Sequence, residues 1–230
     1  MSKITTSTVA DGTVRLISID DGKANAFSKD AIADIRAAID EAAAAEDIAA
    51  VVVAGRDGVF SGGFDLNVMR SGDMAAVVDL VADGGELVSH VYRCDIPVVA
   101  ACTGHALAAG ALFLLGCDIR VGASGDFKIG VNEVAIGMVL PDWGLTICRE
   151  RLDPRHLQRA VANAHITDAP GAVEAGFLDV AVDPSEVIER AIIEAAALGA
   201  LDRNAYAGTM RQFRDQVATT MTNQAAADRT

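Results

Sequence analysis

The chain has 230 residues, which suits one domain with an appended element or two small ones and buries a substantial core without disulfide or metal staples. With 51% apolar and 22% charged residues it has an ordinary globular composition. Its net charge of −13 repels polyanions, which argues against nucleic acid or an anionic membrane surface as a partner and requires a local basic rim for any phosphorylated ligand.

In chain order, residues 1–6 are not followed by the apolar run of a signal peptide, so a cytoplasmic location is expected. Residues 14–20 partly alternate and predict a strand, and Asp20-Asp21-Gly22-Lys23 is turn chemistry. Ser28 suits the cap of a helix whose face carries Ile32, Ile35, Ile39 and Ala42. Residues 48–54 predict a buried strand and 74–91 a second helix. The apolar stretch from Ile96 to Leu115 is long enough to imitate a membrane span, but Pro97 and Thr103-Gly104-His105 break it into strand, turn and buried helix. Short strands are expected at 117–121 and 127–130. This recurrence of strand, turn and helix predicts an α/β fold with right-handed crossovers.

Beyond Pro141 the pattern is mostly helical. Asp183-Pro-Ser-Glu186 combines an N-cap acid, a first-turn proline and a glutamate three residues after the cap. A last helix is expected over 204–221, followed by a polar, frayed tail from Thr222. The division expected is a core over 1–185 and a helical region over 186–230.

Several motifs are absent. Gly55, Gly58, Gly62 and Gly63 miss the dinucleotide spacing, no Walker lysine follows, and neither Ser61 nor Ser124 sits in G-x-S-x-G. The four histidines lack metal-ligand spacing, so no metal is expected, and Cys94, Cys102, Cys117 and Cys148 read as buried thiols of a reducing compartment. Two glycine-rich turns remain, 55–65 and 104–111, each after a β-branched run and before an apolar helical segment. Such turns serve as ordinary connections, and a pair of them can also aim backbone N–H groups at one oxygen.

The segments Phe60-Ser-Gly-Gly-Phe-Asp-Leu66, Gly104-His-Ala-Leu-Ala-Ala-Gly110 and Asn132-Glu-Val-Ala-Ile-Gly-Met138, with Leu140-Pro141 after the last, resemble in order and separation three motifs of the crotonase (enoyl-CoA hydratase/isomerase) superfamily. The resemblance covers nearly the whole chain. It implies a crotonase-like ββα spiral core, a C-terminal helical region used in trimer packing (a homotrimer or dimer of trimers), and a coenzyme A thioester as ligand, with no separate cofactor. It implies an oxyanion hole from the amides of Gly62 and Ala109, and a substrate site including Lys23, Ala24, Ala26, Gly63, Phe64, Asp65 and Leu112. Ala-rich helices such as that over 74–91 are expected to line the acyl pocket. Glu133, among Val131, Val134, Ala135 and Ile136, is the implied acid/base, since an apolar setting lifts a carboxyl pKa toward neutrality. Family hydratases carry a second acid where this chain has Leu112, which can neither hold nor protonate water. That departure favours moving a 3-enoyl double bond to the 2-position. A hydratase recruiting Asp142, which follows Pro141, and a non-catalytic acyl-CoA binder stay open alternatives.

Overall fold

The structure, a computed structural model, describes residues 4–229. Two strands, β1 (Ile4–Val9) and β2 (Val14–Ile19), form an antiparallel hairpin. Helix α1 (Lys29–Ala44) follows, capped by the Ser28 side chain accepting from Ala31 N, and buries Ile32, Ile35, Ile39 and Ala42 as the spacing predicts. Then come β3 (Ala50–Ala54), β4 (Gly58–Ser61), the short α2 (Leu66–Met69) and α3 (Met74–Tyr92). The apolar stretch resolves into β5 (Val98–Cys102), β6 (Gly104–Leu107) and the wholly buried α4 (Ala109–Gly116). β7 (Ile119–Ala123) and β8 (Ile129–Gly130) precede α5 (Asp142–Arg151), α6 (Pro154–Val161), α7 (Ala169–Ala175), β9 (Val180–Val182), α8 (Val187–Gly199) and α9 (Arg203–Ala227).

The main sheet runs β1-β2-β3-β5-β7-β9, parallel except for the first hairpin. Its central strands are buried on both faces, which explains the unbroken apolar runs 51–54 and 98–102. On one face Val14, Val52, Val99 and Val121 pack with Val187, Ala191 and Ala195 of α8, and the other faces the main core. A small parallel sheet, β4-β6-β8, lies apart from it. Both glycine-rich stretches therefore contain a short strand that their turn-like composition conceals. Gly104 pairs with Gly58 so closely that a Cβ on Gly104 would stand 2.0 Å from the Gly58 carbonyl carbon.

The tail from Thr222, expected to fray, is helical to Ala227. Met221 and Ala225 are buried against the core, and Arg229 pairs with Asp83 and Glu86 of α3. Farther up α9, Arg214 lies 4.5 Å over the Tyr92 ring and pairs with Asp118 at 3.0 Å. Asp118 also accepts from Val98 N and the Tyr206 hydroxyl. α9 thus lies along α3 and α5 of its own chain. Among the described residues no helix is long and apolar enough to cross a membrane.

Candidate active site

The segment from Asp20 to Phe27 is shaped by two side chains. The Asp21 carboxylate accepts from Lys23 N at 2.7 Å, Asn25 N at 2.9 Å and Ala26 N at 3.1 Å. Burial would raise its pKa, but these donors and the Arg56 charge hold it below the ordinary value. Asn25 is buried with φ of 50°, a conformation asparagine tolerates better than most residues, and its amide donates to Ile19 O at 2.8 Å and Phe60 O at 3.2 Å. The Arg56 guanidinium donates to Lys23 O, with Nε at 2.8 Å. Lys23 and Arg56 bring two cations to this edge of an acidic chain. The shaped segment and the first glycine turn line one cavity of about 340 Å³, which includes Lys23, Ala24, Ala26, Gly62, Phe64 and Asp65. A cavity of about 350 Å³ between α6 and α7 shares none of these residues.

The first glycine turn is knitted to this segment, which corrects one sequence expectation. The Gly62 N–H, implied as an oxygen-binding donor, donates to Ala24 O at 2.8 Å. Gly63 N donates to the Ser61 hydroxyl oxygen at 3.1 Å, and Asp65 N to Phe27 O at 3.2 Å. Of the four amides from 62 to 65, only that of Phe64 has no acceptor among the described residues. Sequence reading placed Phe64 in the site but not as a donor, because the bond that occupies Gly62 comes from a segment 38 residues away.

The second turn meets the first at Gly63. With φ of 95°, Gly63 holds a backbone shape that disfavours a side chain, and a Cβ there would lie 2.9 Å from the Ala108 Cβ and 3.4 Å from Ala109 N. Ala108 itself has φ of 50° as the residue preceding α4, and no side chain caps that helix. Ala109 is the first residue of α4, so its N–H has no intrahelical acceptor. Two unpaired amides, Phe64 and Ala109, therefore sit on either side of Gly63, and the Ala109 donor is reinforced by its helix N-terminus. α3 accommodates the rings nearby through adjacent glycines. A Cβ at Gly84 would fall 2.4 Å from the Phe64 ring and one at Gly85 2.8 Å from the Trp143 indole.

Glu133 precedes a single 3₁₀ turn, Val134–Ile136, that returns the amides of Ile136 and Met138 to its carbonyl. Its side chain lies inward with the residue 7% exposed, and Oε2 has no hydrogen-bond partner. Burial pushes its pKa up to about 7, with the N–H groups of Glu133 and Asn132 offsetting only part of the effect. The charge of Glu133 is felt by the buried Cys148 thiol on α5. One turn earlier on that helix, a Cβ at Gly144 would meet Leu112 Cδ1 at 3.3 Å. Leu112 and Glu133 thus border the same face of α5, and Leu112 is wholly buried. Asp142, the first residue of α5, is exposed, and its charge reaches Asp228 near the end of α9.

A model of the enoyl-CoA hydratase/isomerase family matches residues 10–230, and the chain belongs to that family. A probable enoyl-CoA hydratase of Mycobacterium tuberculosis is 30% identical over 168 residues, covering 73% of this chain. The chain spans 64% of that relative's length. Among solved structures, an enoyl-CoA hydratase/isomerase family protein from Pseudomonas syringae is 38% identical with a TM-score of 0.92, covering 98% of this chain and 96% of the other. An enoyl-CoA isomerase of M. tuberculosis is 35% identical with a TM-score of 0.91, again covering 98% and 96%. The fold is the crotonase fold, a mixed α/β architecture built on a largely parallel sheet.

Proposed function

We propose that this family member is an enoyl-CoA isomerase that moves the double bond of a 3-enoyl thioester to the 2-position. The observation that carries the reading is the pairing of one buried carboxyl, Glu133 with pKa about 7, with a leucine at the position where a hydratase would need a second acid. The coenzyme end of the substrate lies in the cavity beside Lys23, Ala24, Ala26 and Asp65, where Lys23 and Arg56 offset the acidic field around its phosphates. The thioester oxygen accepts from the amides of Phe64 and Ala109, the oxyanion hole of this reading. Each such donor contributes roughly 2.7–4 kcal/mol to the transition state.

Ionised Glu133 takes a proton from C2 of the substrate. The electron pair left behind delocalises onto the thioester oxygen and along the C3–C4 double bond. Glu133 then returns the proton at C4, the double bond settles between C2 and C3, and the carboxylate is regenerated. A pKa about 7 suits both halves, because the group accepts and releases a proton near neutral pH. No cofactor enters beyond the coenzyme A of the substrate. A hydratase that recruits Asp142 has weaker support, since that side chain is exposed while Glu133 is buried.

Incubating the protein with matched 2-enoyl-CoA and 3-enoyl-CoA substrates, while following water addition and bond migration separately, tests the proposal. Migration without 3-hydroxyacyl product is expected. Rapid hydration of the 2-enoyl substrate, lost in Asp142→Asn, would replace it with the hydratase reading. Binding with no turnover of either substrate would replace it with a non-catalytic one.

A further inference from the structure

We infer that Ser61 is a positioning residue that aims the Phe64 amide, an inference that rests on the oxygen-binding role proposed for that amide. Ser61 ends β4 and is wholly buried, and sequence reading gives its hydroxyl no part in the chemistry. It donates to Asn25 O at 2.8 Å and accepts from Gly63 N at 3.1 Å. A hydroxyl has one proton, so the bond to Asn25 orients it and leaves a lone pair for Gly63. Asn25 is itself fixed by Asp21 and by the carbonyls of Ile19 and Phe60, so Ser61 hangs from a rigid support. Its Cβ abuts α4 as well, for a Cβ on Gly110 would stand 2.8 Å from it.

The need for such a pin follows from Gly63. It is the residue freest to swivel, and it joins the peptide that carries the Phe64 N–H to the rest of the turn. The chain holds it at both ends. Phe27 N donates to Gly63 O at 2.8 Å, and Ser61 takes the Gly63 N–H. In a trans peptide the N–H points opposite to the carbonyl, so with Gly63 O turned toward Phe27 the Phe64 N–H points the other way. Without the Ser61 hydroxyl only the Phe27 bond remains, and Gly63 regains rotation about φ. The donor then no longer occupies one place when charge grows on the thioester oxygen.

The test compares wild type with Ser61→Ala and Ser61→Cys, using 3-hexenoyl-CoA for turnover and carbonyl-¹³C hexanoyl-CoA for infrared spectra of the bound thioester. In Ser61→Ala, kcat falls about ten- to a hundred-fold, as expected for a misplaced donor. KM stays within about two-fold, since Ser61 does not line the coenzyme cavity and Asn25 keeps its bonds to Asp21, Ile19 and Phe60. The carbonyl band, moved to lower frequency on binding to wild type, moves less in Ser61→Ala and by an intermediate amount in Ser61→Cys, whose thiol is a weaker partner. Wild-type kcat and band position in Ser61→Ala, whatever its melting temperature, would overturn the inference. If Ser61→Ala does not fold, Ser61→Cys decides by itself, and a wild-type kcat and band in that variant overturn the inference equally. Glu133→Gln separates the two levels. Loss of turnover there, with a shifted band in wild type, upholds the reading while Ser61 is judged alone. An unshifted wild-type band overturns both.

Discussion

The N–H of Gly62 donates to the carbonyl of Ala24 at 2.8 Å, tying the segment from Asp20 to Phe27 to the first glycine turn. The same bond removes Gly62 from the set of free donors and leaves Phe64, two residues on, facing the start of α4 across Gly63. The proposed oxygen-binding site is therefore two turns that meet at one glycine, each with one backbone amide free.

Ala109→Pro removes the N–H of the second amide at the first position of a helix, where proline is accepted, although it disfavours the backbone of Ala108 with its φ of 50°, so the fold is checked alongside. A correctly folded Ala109→Pro variant should lose about 10²–10³-fold in kcat. Phe64→Ala keeps its backbone N–H and should lose less than about ten-fold. Steady-state kinetics alongside circular dichroism separate the two effects. A folded Ala109→Pro enzyme with wild-type kcat would remove Ala109 from the proposed oxyanion hole.

Glu133 links activity and stability to pH in opposite senses. Its pKa about 7 in the folded chain lies above its ordinary 4.5, so folding favours the protonated form. The destabilising contribution is fully present above about pH 7 and fades as the pH falls toward 4.5. Glu133→Gln should therefore raise stability at pH 8.5, by at most about 3 kcal/mol, and change it little at pH 4.5. Denaturant melts at the two pH values give this difference. The pH profile of kcat/KM in wild type should rise with the ionised base and level off above about pH 7. Equal melting shifts at both pH values would mean that the carboxyl is not desolvated.

Arg214 and Asp118 anchor α9 to the start of β7, with side chains 5% and 8% exposed and a separation of 3.0 Å. Removing one partner leaves a buried charge unpaired, so Asp118→Ala should destabilise the chain by about 3–5 kcal/mol. On the same helix, Arg211→Ala removes an exposed ion pair to Asp95, which lies between α3 and β5, and should cost under about 1 kcal/mol. Urea melts compare them directly. Similar costs for the two variants would show that α9 is held by apolar packing alone.

The helices and central strands were legible because their signals are local: the apolar face of α1, the Ser28 cap and the unbroken apolar run of β5. The small sheet was not. β4, β6 and β8 have at most four residues each and are rich in glycine, and their pairing spans tens of residues. The polar end of α9 looked like a tail because its support comes from the acids of α3 and from the buried faces of Met221 and Ala225. The burial of Glu133 was visible from its apolar neighbours, and that of Leu112 from the apolar run around it. That the Gly62 amide is occupied and the Phe64 amide free was invisible, since hydrogen bonds from Gly62 to Ala24 and from Ser61 to Asn25 leave no local trace. The adjacent Gly84 and Gly85 inside a helix were the one available hint that rings pack there.

The central claim is that one carboxyl, Glu133, performs both proton transfers. Its most direct test is the product formed from 3-hexenoyl-CoA by wild type and Glu133→Gln at pH 8, followed by nuclear magnetic resonance. Wild type should give 2-hexenoyl-CoA as its sole product, and Glu133→Gln should form it at a rate at least about a hundred-fold lower. Wild-type isomerisation in Glu133→Gln, or 3-hydroxyhexanoyl-CoA as the main product of the wild-type protein, would contradict it.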